Sequence, residues 1–166
     1  MKRLTGLIIE LSLLGLMLHA PAAAGAAPFS ERLHAKFHHD RCLACHQFNS
    51  ARSQGLSYTT HRNRYLCESC HRPEQTGLPP GEWQAPIPRL DYSGLGPRET
   101  CELIKRNAGT GDLKRQLRDH LLDDLRIRWA LESGMTPLGR FPTIEGGYAA
   151  WREDVLAWLE GGMRCD

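Results

Sequence analysis

Beyond one stretch near its N-terminus, the chain has no apolar run approaching the roughly 20 residues a bilayer span needs, and it has no large excess of either charge. With 21 Lys and Arg against 19 Asp and Glu, its net charge of +2 gives no electrostatic footprint for a nucleic acid or an anionic membrane. There is no low-complexity tract, and no set of residues marks a catalytic constellation. Large apolar residues are sparse between positions 28 and 80, where no sustained helical or strand period is visible. Such a segment does not readily bury enough apolar surface to offset its own ordering entropy. Cysteine is scarce too, at 6 residues, and all six stand in informative places.

The one apolar stretch, Leu7 to Leu18, follows Lys2 and Arg3 and precedes an Ala-rich segment with two A-x-A sites, Ala22-Ala23-Ala24 and Ala24-Gly25-Ala26. Residues 1–26 therefore read as a signal peptide, with a periplasmic destination and no stable membrane insertion expected for the remainder. Removing Lys2, Arg3 and Glu10 with it leaves a net charge of +1.

Four of the cysteines form two short runs, Cys42-Leu43-Ala44-Cys45-His46 and Cys67-Glu68-Ser69-Cys70-His71. In a C-x-x-C-H run the two thiols are spaced to form thioethers with a porphyrin edge, and the histidine that follows serves as an axial iron ligand. Two covalently bound haem c groups are therefore expected, held by Cys42, Cys45, Cys67 and Cys70 with His46 and His71 on the irons. The haems would supply the core that residues 27–80 lack, with Phe37, Phe48, Tyr58, Tyr65 and Leu66 packing on them.

After Pro79-Pro80-Gly81 the character changes, and a Pro-rich link over 81–96 leads into helical patterning over 97–166. Three helices are expected: one from about Pro97 to Asn107, with proline in its first turn and Gly109 just beyond its end; one from about Asp112 to Glu132 on the stripe Leu113, Leu117, Leu121 and Leu125; and one from about Glu145 to Glu160, with Tyr148, Trp151, Val155, Trp158 and Leu159 on one face. The fold class is thus mainly α, a haem-organised irregular N-terminal segment followed by a small three-helix module. Cys101 and Cys165 remain as an even pair, and in an oxidising compartment a disulfide between them is expected.

The second axial position on each iron separates a carrier from a catalyst, because two protein ligands give a low-spin carrier and a vacancy admits exogenous ligands. His61, between the motifs, is the leading candidate. His38 and His39 follow, adjacent and so pointing in different directions, with His34 nearly level. Met135 stands in Ser133-Gly134-Met135-Thr136-Pro137, a sequence that resembles the methionine loop of single-haem class I cytochromes c. His120 lies beside the Leu117 and Leu121 stripe and reads first as a packed, satisfied histidine. Met163, the other candidate thioether, reads as a residue that packs or lies at the surface.

The order Cys42-Leu43-x-Cys45-His46, Thr60-His61, and Arg64-Tyr65-x-Cys67-x-x-Cys70-His71-x-Pro73 resembles the small dihaem electron-transfer subunit of periplasmic nitrate reductase over residues 38–80. That resemblance implies two bis-histidine haems, with His46 and His71 proximal and His61 distal, and a molybdenum enzyme as electron acceptor. The C-terminal part is similar to a group of uncharacterised exported haem-motif proteins, some labelled as isoquinoline oxidoreductase subunits. The similar positions are Trp83-x-x-Pro86, Cys101-x-x-Ile104-Lys105, His120-x3-Asp124 with Trp129, and Trp158-x-x-Gly161 ending in Cys165. It implies a redox partner beside a larger dehydrogenase.

The expected function is outer-sphere electron transfer between periplasmic or membrane-bound redox proteins, one a donor and one an acceptor, without enzymatic activity of its own. Two alternatives stand beside it. One is a haem enzyme or sensor with an open iron site next to His38, His39 or His120. The other is a zinc-ribbon-like module on Cys42, Cys45, Cys67 and Cys70, whose interval slightly exceeds the usual one and which leaves His46 and His71 unexplained.

Overall fold

Phe29, Leu33 and Phe37 recur at four-residue spacing, and the first helices of the chain form on that stripe. The computed structural model describes residues 27–47, 69, 71–84, 86, 88–132 and 142–166, and the fold is mainly α, with no strand among the described residues. Helices α1 (Phe29–Arg32) and α2 (His34–Phe37) are nearly continuous, since Leu33 donates to the Phe29 carbonyl at 3.0 Å and Phe37 to that of Leu33 at 2.9 Å. All three apolar side chains are buried, with Phe29 against Trp158 at 5.5 Å between ring centroids and Phe37 against Trp151 at 5.2 Å. Helix α3 (Asp40–His46) follows, its first turn capped by His39 Nδ1, which accepts the Arg41 N–H at 3.2 Å.

The described beginning of the 27–80 segment is helical where an irregular segment was expected, and its apolar face enters the same core as the C-terminal helices. The physical reason is the Phe29, Leu33, Phe37 stripe, which supplies apolar area that the Trp-bearing helix needs covered.

After the single turn α4 (Pro73–Thr76) and a 3₁₀ turn at Pro88–Leu90, helix α5 (Pro97–Asn107) spans the expected residues. Proline opens its first turn, and the Glu99 carboxylate accepts the Gly96 N–H at 3.0 Å. Helix α8 (Gly147–Glu160) buries Trp151, Val155, Trp158 and Leu159 as the stripe implied. It starts after Gly146, whose φ of +73° and closeness to Ala150 leave no room for a Cβ. Cys101 of α5 is joined to Cys165 by a disulfide. Nearby, Phe29 donates its N–H to the Arg164 carbonyl at 3.1 Å, so the C-terminal residues close over both α1 and α5.

The expected single helix over 112–132 is not observed. Helix α6 (Leu113–Arg118) widens into a π-helical turn at Asp119–Asp123, the backbone becomes extended at Asp124, and α7 (Leu125–Glu132) starts afresh. Asp124 causes the break in side-chain terms: its Oδ1 accepts the Arg126 N–H at 2.9 Å, which caps α7 and competes with helix continuation. The leucine stripe fails at the same point, with Leu117 and Leu121 buried and Leu125 half exposed at 50%. Carbonyls stranded by the break find partners on α8, where Trp151 Nε1 donates to Leu121 at 2.7 Å and the Tyr148 hydroxyl to Leu122 at 2.6 Å.

Candidate functional site

A cavity of about 480 Å³ opens beside α3, and its wall carries Cys42, Cys45 and His46 together. The volume falls within the roughly 300 to 1,000 Å³ usual for small-molecule and cofactor sites. Much of the remaining wall is apolar or aromatic, including Phe37, Leu90, Tyr92, Leu121, Trp83 and Trp151. Arg41 fixes the helix that presents the motif. This almost fully buried side chain donates from Nε to the Pro142 carbonyl at 2.6 Å and from Nη1 to that of Ala130 at 2.8 Å. It thereby pins α3 to the end of α7 and to the approach to α8, and it places a cation in the cavity wall.

Within the motif the electrostatics are those of an enclosed, low-dielectric site. Burial pushes the Cys42 and Cys45 thiols up to about 12, so both are uncharged at neutral pH. The His46 ring lies parallel to Tyr92 at 4.5 Å between centroids and donates from Nδ1 to the Leu90 carbonyl at 3.2 Å. Burial, helped by the nearby His120, brings its pKa down to about 4 in spite of that hydrogen bond and of the Asp91 carboxylate. The imidazole is therefore neutral, with Nδ1 committed to the backbone and Nε2 carrying the lone pair. An iron ligand has this arrangement, its second nitrogen orienting the ring through an outer hydrogen bond.

His120 also lines this cavity, contrary to the expectation of a packed histidine; 53% of its side chain is exposed. It sits in the π-helical turn, with Nδ1 at 3.2 Å from Asp124 Oδ2. Burial by itself raises Asp124, but hydrogen bonds from His120 and Arg126 overcome that effect and hold the carboxyl well below the usual carboxylate range. An ionised Asp124 makes His120 Nδ1 the donor. Asp124 and Arg126 both border the cavity; Asp124 entered the sequence reading only as part of the His120-x3-Asp124 resemblance, and Arg126 did not enter it.

The other expected ligands stand elsewhere. His34 donates from Nε2 to the Leu95 carbonyl at 3.3 Å, His38 Nε2 pairs with Thr100 Oγ1 at 3.0 Å, and His39 caps α3. None of these three lines the cavity. His71 of the second motif stacks on Trp83 at 4.4 Å, and Trp83 meets Trp129 edge-on at 5.1 Å; both tryptophans are cavity residues, so the second motif's histidine packs against the wall of the first. Cys67, Cys70, His61 and Met135 lie outside the described residues, as do residues 1–26. Met163 packs against the core. Among the described residues no cluster of three or more metal-ligating side chains occurs, and no helix is long and apolar enough to cross a membrane.

No family model, no curated protein and no solved structure matches this chain.

Proposed function

We propose that the protein is an exported dihaem cytochrome c that carries electrons between a donor and an acceptor in the periplasm, acting as a carrier and not as an enzyme. One observation carries this reading: Cys42, Cys45 and His46 reach the wall of one cavity with His46 already anchored through Nδ1 to the Leu90 carbonyl. The donor set suits a haem at this site, with two uncharged thiols for the thioethers, a neutral imidazole for the iron and an apolar wall for the ring. Cys67, Cys70 and His71 would hold the second haem by the same motif. When bound, the haems supply reversible one-electron iron chemistry. The chain's own part would be to hold His46 and His71 in place and to keep water away from them; Tyr92, stacked on His46, and Trp151, in the cavity wall, suit that part at His46. The proposed partners are periplasmic or membrane-bound redox proteins, a larger dehydrogenase or reductase among them.

The test is the visible spectrum of the full chain expressed with export and haem attachment, oxidised and reduced, together with a haem count per chain. Two haems are expected, falling to one in Cys42→Ser/Cys45→Ser and to one in Cys67→Ser/Cys70→Ser. A colourless, zinc-bearing protein would overturn the reading.

A further inference from the structure

The sequence left the second axial ligand open among five histidines and a methionine; four of them, His34, His38, His39 and His120, lie among the described residues, and of these four His120 alone lines the cavity. We infer that His120, oriented by Asp124, is the second axial ligand of the iron held at Cys42, Cys45 and His46; this rests on the dihaem reading above.

Two imidazoles line the cavity among the described residues, His46 from α3 and His120 from the π-helical turn. They are held alike: His46 gives its Nδ1 proton to a backbone carbonyl, and His120 gives its own to a carboxylate. An outer partner on Nδ1 fixes the tautomer and ring orientation of a metal-ligating histidine and leaves Nε2 for the metal. A plain surface pair at i, i+4 is the competing account of His120 and Asp124. It explains neither the backbone nor the charge. Asp124 is already matched by Arg126, which donates from Nε to Oδ1 at 2.9 Å and from Nη2 to Oδ2 at 2.7 Å, so His120 is not required to neutralise it. The widened turn forgoes regular helical hydrogen bonding, and Trp151 and Tyr148 of α8 are spent holding its carbonyls. Short π-helical turns are frequent at functional sites. Here the turn carries an imidazole at a cavity that already presents the imidazole of His46.

The test uses the full-length, two-haem protein. His120→Ala is expected to convert one haem per chain from low-spin to high-spin in the oxidised state and to add one carbon monoxide per chain to the reduced form relative to wild type. Exogenous imidazole should reverse the spin change. An oxidised spectrum and carbon monoxide uptake unchanged from wild type would overturn the assignment. Should His120→Ala fail to accumulate, His120→Met decides: methionine ligation or a vacated site changes the oxidised spectrum of one haem, supporting the assignment, and a spectrum identical to wild type overturns it. A wild-type protein that carries no haem overturns the dihaem reading itself, whereas two haems indifferent to both substitutions overturn only the role of His120.

Discussion

Residues 113–132 and 147–160 carry the same kind of apolar stripe, yet the second forms one unbroken helix and the first is split by a π-helical turn and an extended residue. The difference lies in one side chain. No Asp or Asn competes for the backbone on the buried face of α8, where Trp151, Val155, Trp158 and Leu159 follow one another. At Asp124 a short carboxylate offers a local cap, and the helix ahead of it ends in a turn whose carbonyls are then taken by α8. The regular helix thus serves as the template, and the irregular stretch contributes Leu117, His120, Leu121 and Asp124 to the cavity wall.

The strongest way to break this comparison is to remove the template. Trp151→Ala opens a hole between Phe37 and the π-helical turn, and chemical denaturation of the purified protein should show a loss of about 3 to 5 kcal/mol. Trp151→Phe sharpens the point by keeping most of the packing and removing the bond to Leu121, for a loss of about 1 kcal/mol. Next comes the link between α5 and the C-terminal residues. Cys101→Ala/Cys165→Ala releases a cross-link of sequence separation 64, and the same measurement should register about 2 to 4 kcal/mol. On the irregular side, Asp124→Ala removes the cap of α7 and the partner of Arg126, and about 1 to 2 kcal/mol should be lost. A like substitution at the exposed Glu153 of α8 should stay within about 0.5 kcal/mol, so equal losses at the two positions would remove the contrast. An effect smaller than that of Asp124→Ala is expected at Asp154, which pairs with Lys36 at 2.6 Å and Arg32 at 3.0 Å. Asp154→Ala should cost under about 1 kcal/mol and progressively less as salt is added to the denaturation series.

Local signals made part of this structure legible. Pro97 at the start and Gly109 just beyond the end bounded α5, the Trp151 to Leu159 stripe announced α8, and the even leftover pair of cysteines anticipated the bond between Cys101 and Cys165. The helices before α3 were legible in principle, since Phe29, Leu33 and Phe37 keep helical spacing, but short helices separated by histidines gave too brief a period to stand out. The turn at His120 was not legible. Leu113, Leu117, Leu121 and Leu125 keep an even interval through it, and nothing in that interval reveals that Asp124 bonds to Arg126 and not to the helix. Of the candidate site, the cysteines and His46 could be read from spacing alone, whereas Tyr92, Trp83 and Asp124 reach the cavity only through tertiary contacts.

The closure of the C-terminal residues over α1 sets an order of events along the growing chain. Phe29 bonds to Arg164 and Ser30 to the Asp166 carbonyl at 2.8 Å, across a sequence separation of 136, so the first helix gains these partners only after almost everything described has been synthesised. Contacts of such range form late, because the loop between them must be closed before they contribute. The stretch around Cys42 to His46 therefore passes through a period in which it is translated but not yet enclosed, a window in which chemistry on its thiols meets no folded wall. Pulsed hydrogen exchange during refolding should find the amides of α5 protected before that of Phe29; simultaneous protection would show that the ends meet at the outset.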